Sequence, residues 1–192
     1  MKYDKSFLRN KSLLLRKEKY LTVKKFNYNL IFKLIKKHFR NKKIIIGGYY
    51  PSNYEVDILK FLETAHKKNF QLALPVIESS KNSSKMSFES WIFRGPLYVN
   101  KFGMLEPEYL KKNIIPDLII VPLVAFDECL NRIGYGKGYY DRSLRMISKK
   151  KKNIVSLGVA YSHQKCQKIP INKYDFKLDY IFTEQGIISS NK

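Results

Sequence analysis

Long hydrophobic runs are missing from this 192-residue chain. No stretch of about 18 apolar residues occurs, which argues against a transmembrane helix. Met1-Lys-Tyr-Asp-Lys-Ser-Phe7 has neither an apolar centre nor a small-residue cleavage site. The expected location is therefore cytoplasmic, without a secretory signal. Cysteine is also scarce. Cys129 and Cys166 are far apart and lack C-x-x-C spacing, so neither a disulfide framework nor a zinc site is indicated. His38, His66 and His163 are scattered without ligand spacing. No internal repeat and no Pro/Gly/Ser-rich linker divides the chain, so 1–192 reads as a single domain. Acidic residues are few as well. Sixteen Asp and Glu stand against 37 Lys and Arg, for a net charge of +21. That balance attracts polyanions such as nucleic acid, membranes, nucleotides or acidic substrates. Thirty of the 37 cations are Lys, spread along the whole chain, and the Ile and Asn abundance beside them fits an AT-rich coding bias.

The pattern that is present alternates helices and strands. Residues 4–19 read as a basic amphipathic helix, and 28–40 as another with Leu30, Ile31, Leu34 and Ile35 on one face. Residues 43–50 read as a buried strand, 54–68 as a helix, and 70–77 and 86–93 as strands. The polar segment 79–85 is a hairpin or a crossover. The run 118–124 is the most strand-like of all, 139–149 reads as a helix, and 153–161 and 179–183 as two more strands. Lys149 to Lys152 fit a helix end, where cations complement the dipole. Apolar strands with little polar alternation, interleaved with helices, predict an α/β layered fold with a mostly parallel sheet. Ligands in such sheets sit at the carboxyl ends of strands.

One of those ends carries Arg132-Ile-Gly-Tyr-Gly-Lys-Gly-Tyr-Tyr-Asp-Arg142. Gly134, Gly136 and Gly138 permit tight backbone and close approach of a ligand to N–H groups. Arg132 and Lys137 bring positive charge, and Asp141 a carboxylate suited to a hard metal. A connecting turn needs one or two glycines and none of these charges, so an Mg-nucleotide site is the better reading. It is not a Walker loop, because Gly138 follows Lys137 where Ser or Thr would stand, nor G-x-G-x-x-G, because position 139 is Tyr. A helix starting near Tyr139 would aim its N-terminus at an anion. Other positions say less on their own. Tyr49-Tyr50-Pro51 and Glu55 could receive a heterocycle, but from spacing alone a strand end and a helix start is the better reading. Lys5 and Arg9 share a helix face at i,i+4 spacing, as any solvated basic helix allows. Asp179 alone is uninformative, and Trp91, the only Trp, reads as core.

Taken together, these segments resemble the 5-formyltetrahydrofolate cyclo-ligase family. Val121-Pro-Leu-Val-Ala-Phe-Asp127 followed by the glycine loop carries the specific part of the resemblance. Lys5-Ser-Phe-Leu-Arg9, Tyr50-Pro with Glu55-Val, Phe102-Gly-Met-Leu-Glu-Pro107 and Asp179-Tyr-Ile-Phe-Thr-Glu184 extend it across nearly the whole chain, in the family's order. The resemblance implies a three-layer α/β/α fold and ATP-dependent closure of 5-formyltetrahydrofolate to 5,10-methenyltetrahydrofolate, releasing ADP and phosphate. It implies that Lys5, Arg9, Arg132, Gly134, Tyr135, Gly136, Lys137, Gly138, Tyr139 and Tyr140 bind ATP, with Arg132 and Lys137 acting in catalysis. Tyr50, Glu55, Met86, Trp91, Tyr135 and Tyr139 would meet the folate, and Asp141 and Asp179 would hold Mg2+. The family often has His-Asp where this chain has Tyr174-Asp175. The expected molecule is a monomer without membrane or nucleic-acid partners. The sequence contains no RNP aromatic pattern, zinc finger or G-x-x-G clamp, and a phosphosugar isomerase explains the paired carboxylates and cationic loop less well. A polyglutamate tail on the folate is a polyanion that the basic balance could attract.

Overall fold

A computed structural model describes residues 4–22, 25–40, 42–80 and 83–190. Helix α1 (Lys5–Lys19) is capped by Asp4, whose carboxylate accepts the N–H of Phe7 at 2.7 Å. Helix α2 (Asn29–Phe39) turns Ile31, Leu34, Ile35 and Phe39 inward, the 3.6-residue period expected of it. Strand β1 (Ile45–Gly47), helix α3 (Leu59–Lys67) and strand β2 (Gln71–Ser80) follow. Strand β3 (Ser83–Ser90) returns antiparallel to β2, with Ser80 opposite Ser83, so the polar segment is a hairpin. Its residues 81 and 82 lie outside the described part. Short strands β4 (Tyr98–Val99) and β5 (Leu105–Glu106) pair with each other, as do β7 (Ala125–Phe126) and β8 (Arg132–Ile133). Between those pairs runs β6 (Leu118–Pro122); α4 (Tyr139–Lys150), β9 (Val155–Val159), β10 (Tyr180–Thr183) and β11 (Gly186–Ser189) complete the chain.

Seven strands form the main sheet in the order β11-β10-β9-β6-β1-β2-β3. The five inner strands are mutually parallel, and the two edge strands run antiparallel. Alternate residues of β6 face opposite layers. Leu118 and Ile120 pack with α2 and α3, while Ile119 and Val121 pack with Leu144 and Ile147 of α4. Both faces are thus covered, which is the three-layer α/β/α arrangement expected. The predicted helix over 54–68 begins only at Leu59, because Asn53 and Tyr54 take positive φ values of 46° and 60°. The hairpin β7/β8, the pair β4/β5 and the edge strand β11 are too short or too irregular to carry a sequence period.

From β1 the chain crosses by α3 to β2 on one side, then returns to β6 on the other. The carboxyl ends of β1 and β6 therefore diverge, and a crevice opens between the loops that follow them. Gly158 in β9 marks how tightly the adjacent layer is packed. A Cβ there would lie 2.6 Å from Leu178 and 2.8 Å from Leu123 side-chain carbons. Gly158→Ala is expected to cost about 1–3 kcal/mol by overpacking, read as a lower urea midpoint with an unchanged slope.

Candidate active site

A cleft of about 590 Å³ lies at the carboxyl ends of β1 and β6. It falls within the usual range for small-molecule sites. Tyr49, Tyr50 and Glu55 from the loop after β1 form one wall, and the glycine loop and the start of α4 form another. Ile77 and Met86 of the β2/β3 hairpin and Phe102 and Glu106 beyond it line the mouth. Helix α1 closes the arrangement by bringing Lys5 and Arg9.

The glycine loop is shaped by two residues with positive φ, Gly136 at 94° and Gly138 at 65°. At Gly136 a Cβ would stand 3.4 Å from the Arg9 guanidinium, an ordinary contact, so it is the positive φ that calls for glycine there. Arg9 Nε donates to the carbonyl of Gly134 at 2.8 Å, tying α1 to the loop. Gly138 is the residue before α4 and offers no side-chain cap, leaving the helix's first N–H groups directed toward the cleft. Lys137 is exposed at the loop's crest.

Two cations at the floor are held by carboxylates. Arg132 is buried; its Nη2 donates to Asp141 at 2.6 Å and its Nη1 to the carbonyl of Phe176 at 2.6 Å. Burial lowers the Arg132 pKa, opposed by Asp141, Tyr140 and Asp175. Asp141 also accepts the N–H of Phe176 at 3.0 Å. That bond draws the neighbouring Asp175 to the same corner, where its carboxylate pairs with Lys5. Sequence reasoning missed Asp175.

Glu55 is buried and accepts from the N–H and hydroxyl of Ser52 at 2.9 and 3.3 Å and from the Tyr135 hydroxyl at 3.0 Å. Its pKa is raised, chiefly by burial, while those donors and Arg16 pull it back. The Tyr135 hydroxyl is itself pushed up to about 12, first by burial and then by Glu55. Tyr140 lines the same cleft, and its hydroxyl has no partner among the described residues. Burial raises its pKa well beyond the ordinary tyrosine range.

Two expected site residues are not here. Asp179 immediately precedes β10, and its carboxylate accepts the N–H and hydroxyl of Ser156 at 2.8 and 2.7 Å. Ser156 is near the start of β9, so Asp179 sits at the amino ends of the parallel strands, across the sheet from Asp141. Trp91 likewise lies at the wrong end. Its backbone N–H donates to the carbonyl of Leu72 near the start of β2, and its ring packs on Phe93. Met86 does line the cleft. Among the described residues no group of three or more His, Cys, Asp or Glu forms a ready-made metal cage, and no helix is long and apolar enough to cross a membrane.

A cationic glycine loop, a helix N-terminus and two carboxylates share one cleft, an arrangement suited to an enzyme that takes an anionic ligand. Residues 1–184 match the model of the 5-formyltetrahydrofolate cyclo-ligase family, and the chain belongs to that family. The 5-formyltetrahydrofolate cyclo-ligase of Haemophilus influenzae is 29% identical over 137 residues, covering 69% of this chain and 72% of that one. That of Escherichia coli K12 is 29% identical over 137 residues, with 69% and 74% covered. Among solved structures, the NMR structure of Aquifex aeolicus 5,10-methenyltetrahydrofolate synthetase superposes with a TM-score of 0.70 at 28% identity, covering 98% of this chain and 93% of that one.

The buried Glu55 gives a stability test. A carboxyl whose pKa is raised by folding stabilises the fold, relative to its ionised form, only while protonated. Its cost is absent below the unfolded-state value of about 4.3 and accrues as pH rises through the folded-state value. Glu55→Gln is therefore expected to raise the urea midpoint at mildly alkaline pH, and the variant and parent curves converge on acidification.

Proposed function

We propose that this chain, as a cytoplasmic monomer, uses Mg-ATP to close 5-formyltetrahydrofolate to 5,10-methenyltetrahydrofolate, with ATP phosphates on the glycine loop and the pterin toward Glu55. The observation that carries the reading is the sharing of one cleft. The glycine loop and the first turn of α4 face the same space as the buried Glu55, with Tyr135 between them. Phosphoryl transfer needs alignment and neutralised charge more than a protein nucleophile. Here the formyl oxygen attacks the γ-phosphorus and ADP leaves. N10 then attacks the formyl carbon and gives up its proton, and phosphate departs as the ring closes. Lys137 and Arg132 offset charge developing on the transferred group, while Lys5 and Arg9 hold the remaining phosphates. Glu55 accepts hydrogen bonds from pterin ring N–H groups, and Tyr50, Met86, Tyr135 and Tyr139 enclose the folate. A polyglutamate tail, where present, would extend into the basic surround.

The donor set at the cleft floor fits Mg2+. That ion takes one or two carboxylates, completing its shell with phosphate oxygens and water, and Asp141 and Asp175 are two carboxylates on one corner. They would hold it, and it would supply charge neutralisation at the β- and γ-phosphate oxygens. Asp175 thus takes the part first expected of Asp179.

Folded protein given 5-formyltetrahydrofolate and Mg-ATP should raise near-ultraviolet absorbance as methenyl product forms, and no rise would refute the reading. Lys137→Ala should lower kcat about 10²-fold or more.

The metal assignment has its own measurement. Asp141→Asn and Asp175→Asn should each raise the Mg2+ concentration for half-maximal rate about tenfold or more. Asp179→Asn should leave that concentration unchanged while lowering stability by about 1–3 kcal/mol.

A further inference from the structure

Helix α1 buries a single residue completely, and it is a cation. Arg16 is 1% exposed on a helix otherwise rich in solvated lysine. Its Nη2 donates to the carbonyl of Asn53 and to the hydroxyl of Tyr135, both at 2.6 Å. Its Nη1 reaches the carbonyl of Leu123 at 3.4 Å, and its carbon lies 5.6 Å from the centroid of the Tyr135 ring. Nε has no partner among the described residues. One guanidinium thus fastens the loop after β1 to the glycine loop, two walls of the cleft, and also reaches the turn after β6.

The direction of the hydrogen bonds is fixed by chemistry. A guanidinium only donates. The Tyr135 oxygen therefore accepts from Arg16, and its proton goes to Glu55, 3.0 Å away. Asn53, whose φ is 46°, stands two residues before Glu55 and is held by the same Nη2. A buried charge is expensive, and an apolar side chain of similar length would fill the space without that cost. What the apolar side chain would not supply is order at Tyr135 and Glu55.

We propose that Arg16 is a positioning residue for the folate side of the reaction: through Tyr135 and Asn53 it keeps Glu55 aimed into the cleft as a charged acceptor. This rests on the reading of Glu55 as the pterin partner. The groups facing Glu55 are Arg16 from α1, Ser52 from its own loop, Tyr135 from the glycine loop, Tyr49 after β1 and Tyr140 from α4. The Tyr161 hydroxyl donates to the backbone carbonyl of Glu55. Within this set Arg16 is the cation, and its field favours the ionised carboxylate.

The test compares Arg16→Met, Arg16→Lys and Tyr135→Phe with the parent enzyme, varying 5-formyltetrahydrofolate and Mg-ATP separately across pH. Arg16→Met should raise the KM for folate about tenfold while the KM for Mg-ATP moves less than about twofold. The acid limb of kcat/KM for folate should shift to higher pH, because Glu55 loses a field that favours its charge. Arg16→Lys should restore the acid limb but not the KM, since a point charge remains without the fork that holds three oxygens. Wild-type folate KM and acid limb in folded Arg16→Met would reduce Arg16 to packing and overturn the inference alone. Should Arg16→Met fail to fold, Tyr135→Phe cuts the same chain one link further on, and an unmoved acid limb there would overturn it equally. A folded parent protein without turnover would instead bring down the functional reading, and this inference with it.

Discussion

A parallel sheet must be covered on both faces, and its chain must reverse its direction of winding somewhere to achieve that. In this protein the reversal falls between β1 and β6. Nearly everything at the site follows from that one constraint. The loop after β1 diverges to one side and carries Tyr49, Tyr50 and Glu55. The excursion after β6 diverges to the other, and makes the β7/β8 hairpin, the glycine loop and α4 before re-entering the sheet at β9. Neither loop could form the cleft alone. Helix α1, which contributes no strand crossover, is then free to lie over the opening, with Arg9 on Gly134 and Arg16 on Asn53, Leu123 and Tyr135.

The same constraint accounts for which parts of the molecule were legible in the sequence. Strands such as 118–124, buried on both faces, announce themselves as apolar runs. The glycine loop does so because several special residue types crowd one segment. Asp175 and Asp179 are harder to separate, being four residues apart and each flanked by a tyrosine and an apolar residue. Yet Asp179 immediately precedes a strand, and the start of a parallel strand lies at the amino edge, away from the crevice. That rule, already invoked for the glycine loop, would have excluded it. Trp91 sits opposite the start of β2 for a related reason: β3 runs antiparallel, so its end returns to the amino edge. Arg16 carried a fainter signal. Residues 5, 9 and 16 share one helical face, and two of the three are arginines in a helix otherwise dominated by lysine. In a chain of net charge +21 that preference was easily lost among solvated charges.

The floor of the cleft has a further property that composition does not reveal. Despite the large positive excess, two cations at the cleft floor are paired with carboxylates: Arg132 with Asp141, and Lys5 with Asp175. An unpaired buried guanidinium would be costly, so Asp141 and the Phe176 carbonyl keep Arg132 in place before any ligand arrives. On the proposed reading, Mg-ATP brings both signs of charge to this corner at once. Its phosphates are partners for Lys5 and Arg132, and its metal is a partner for the carboxylates those cations release. Binding then exchanges ion pairs and does not create isolated charges, so the desolvation penalty at the floor changes little as the ligand enters. A metal-free nucleotide would satisfy the cations and strand Asp141 and Asp175 beside phosphate oxygens. A free metal ion would do the reverse and crowd Lys5 and Arg132. On that reading the paired arrangement would select for the neutralised complex over either component, through the spacing of four side chains on α1, β8, α4 and the segment before β10.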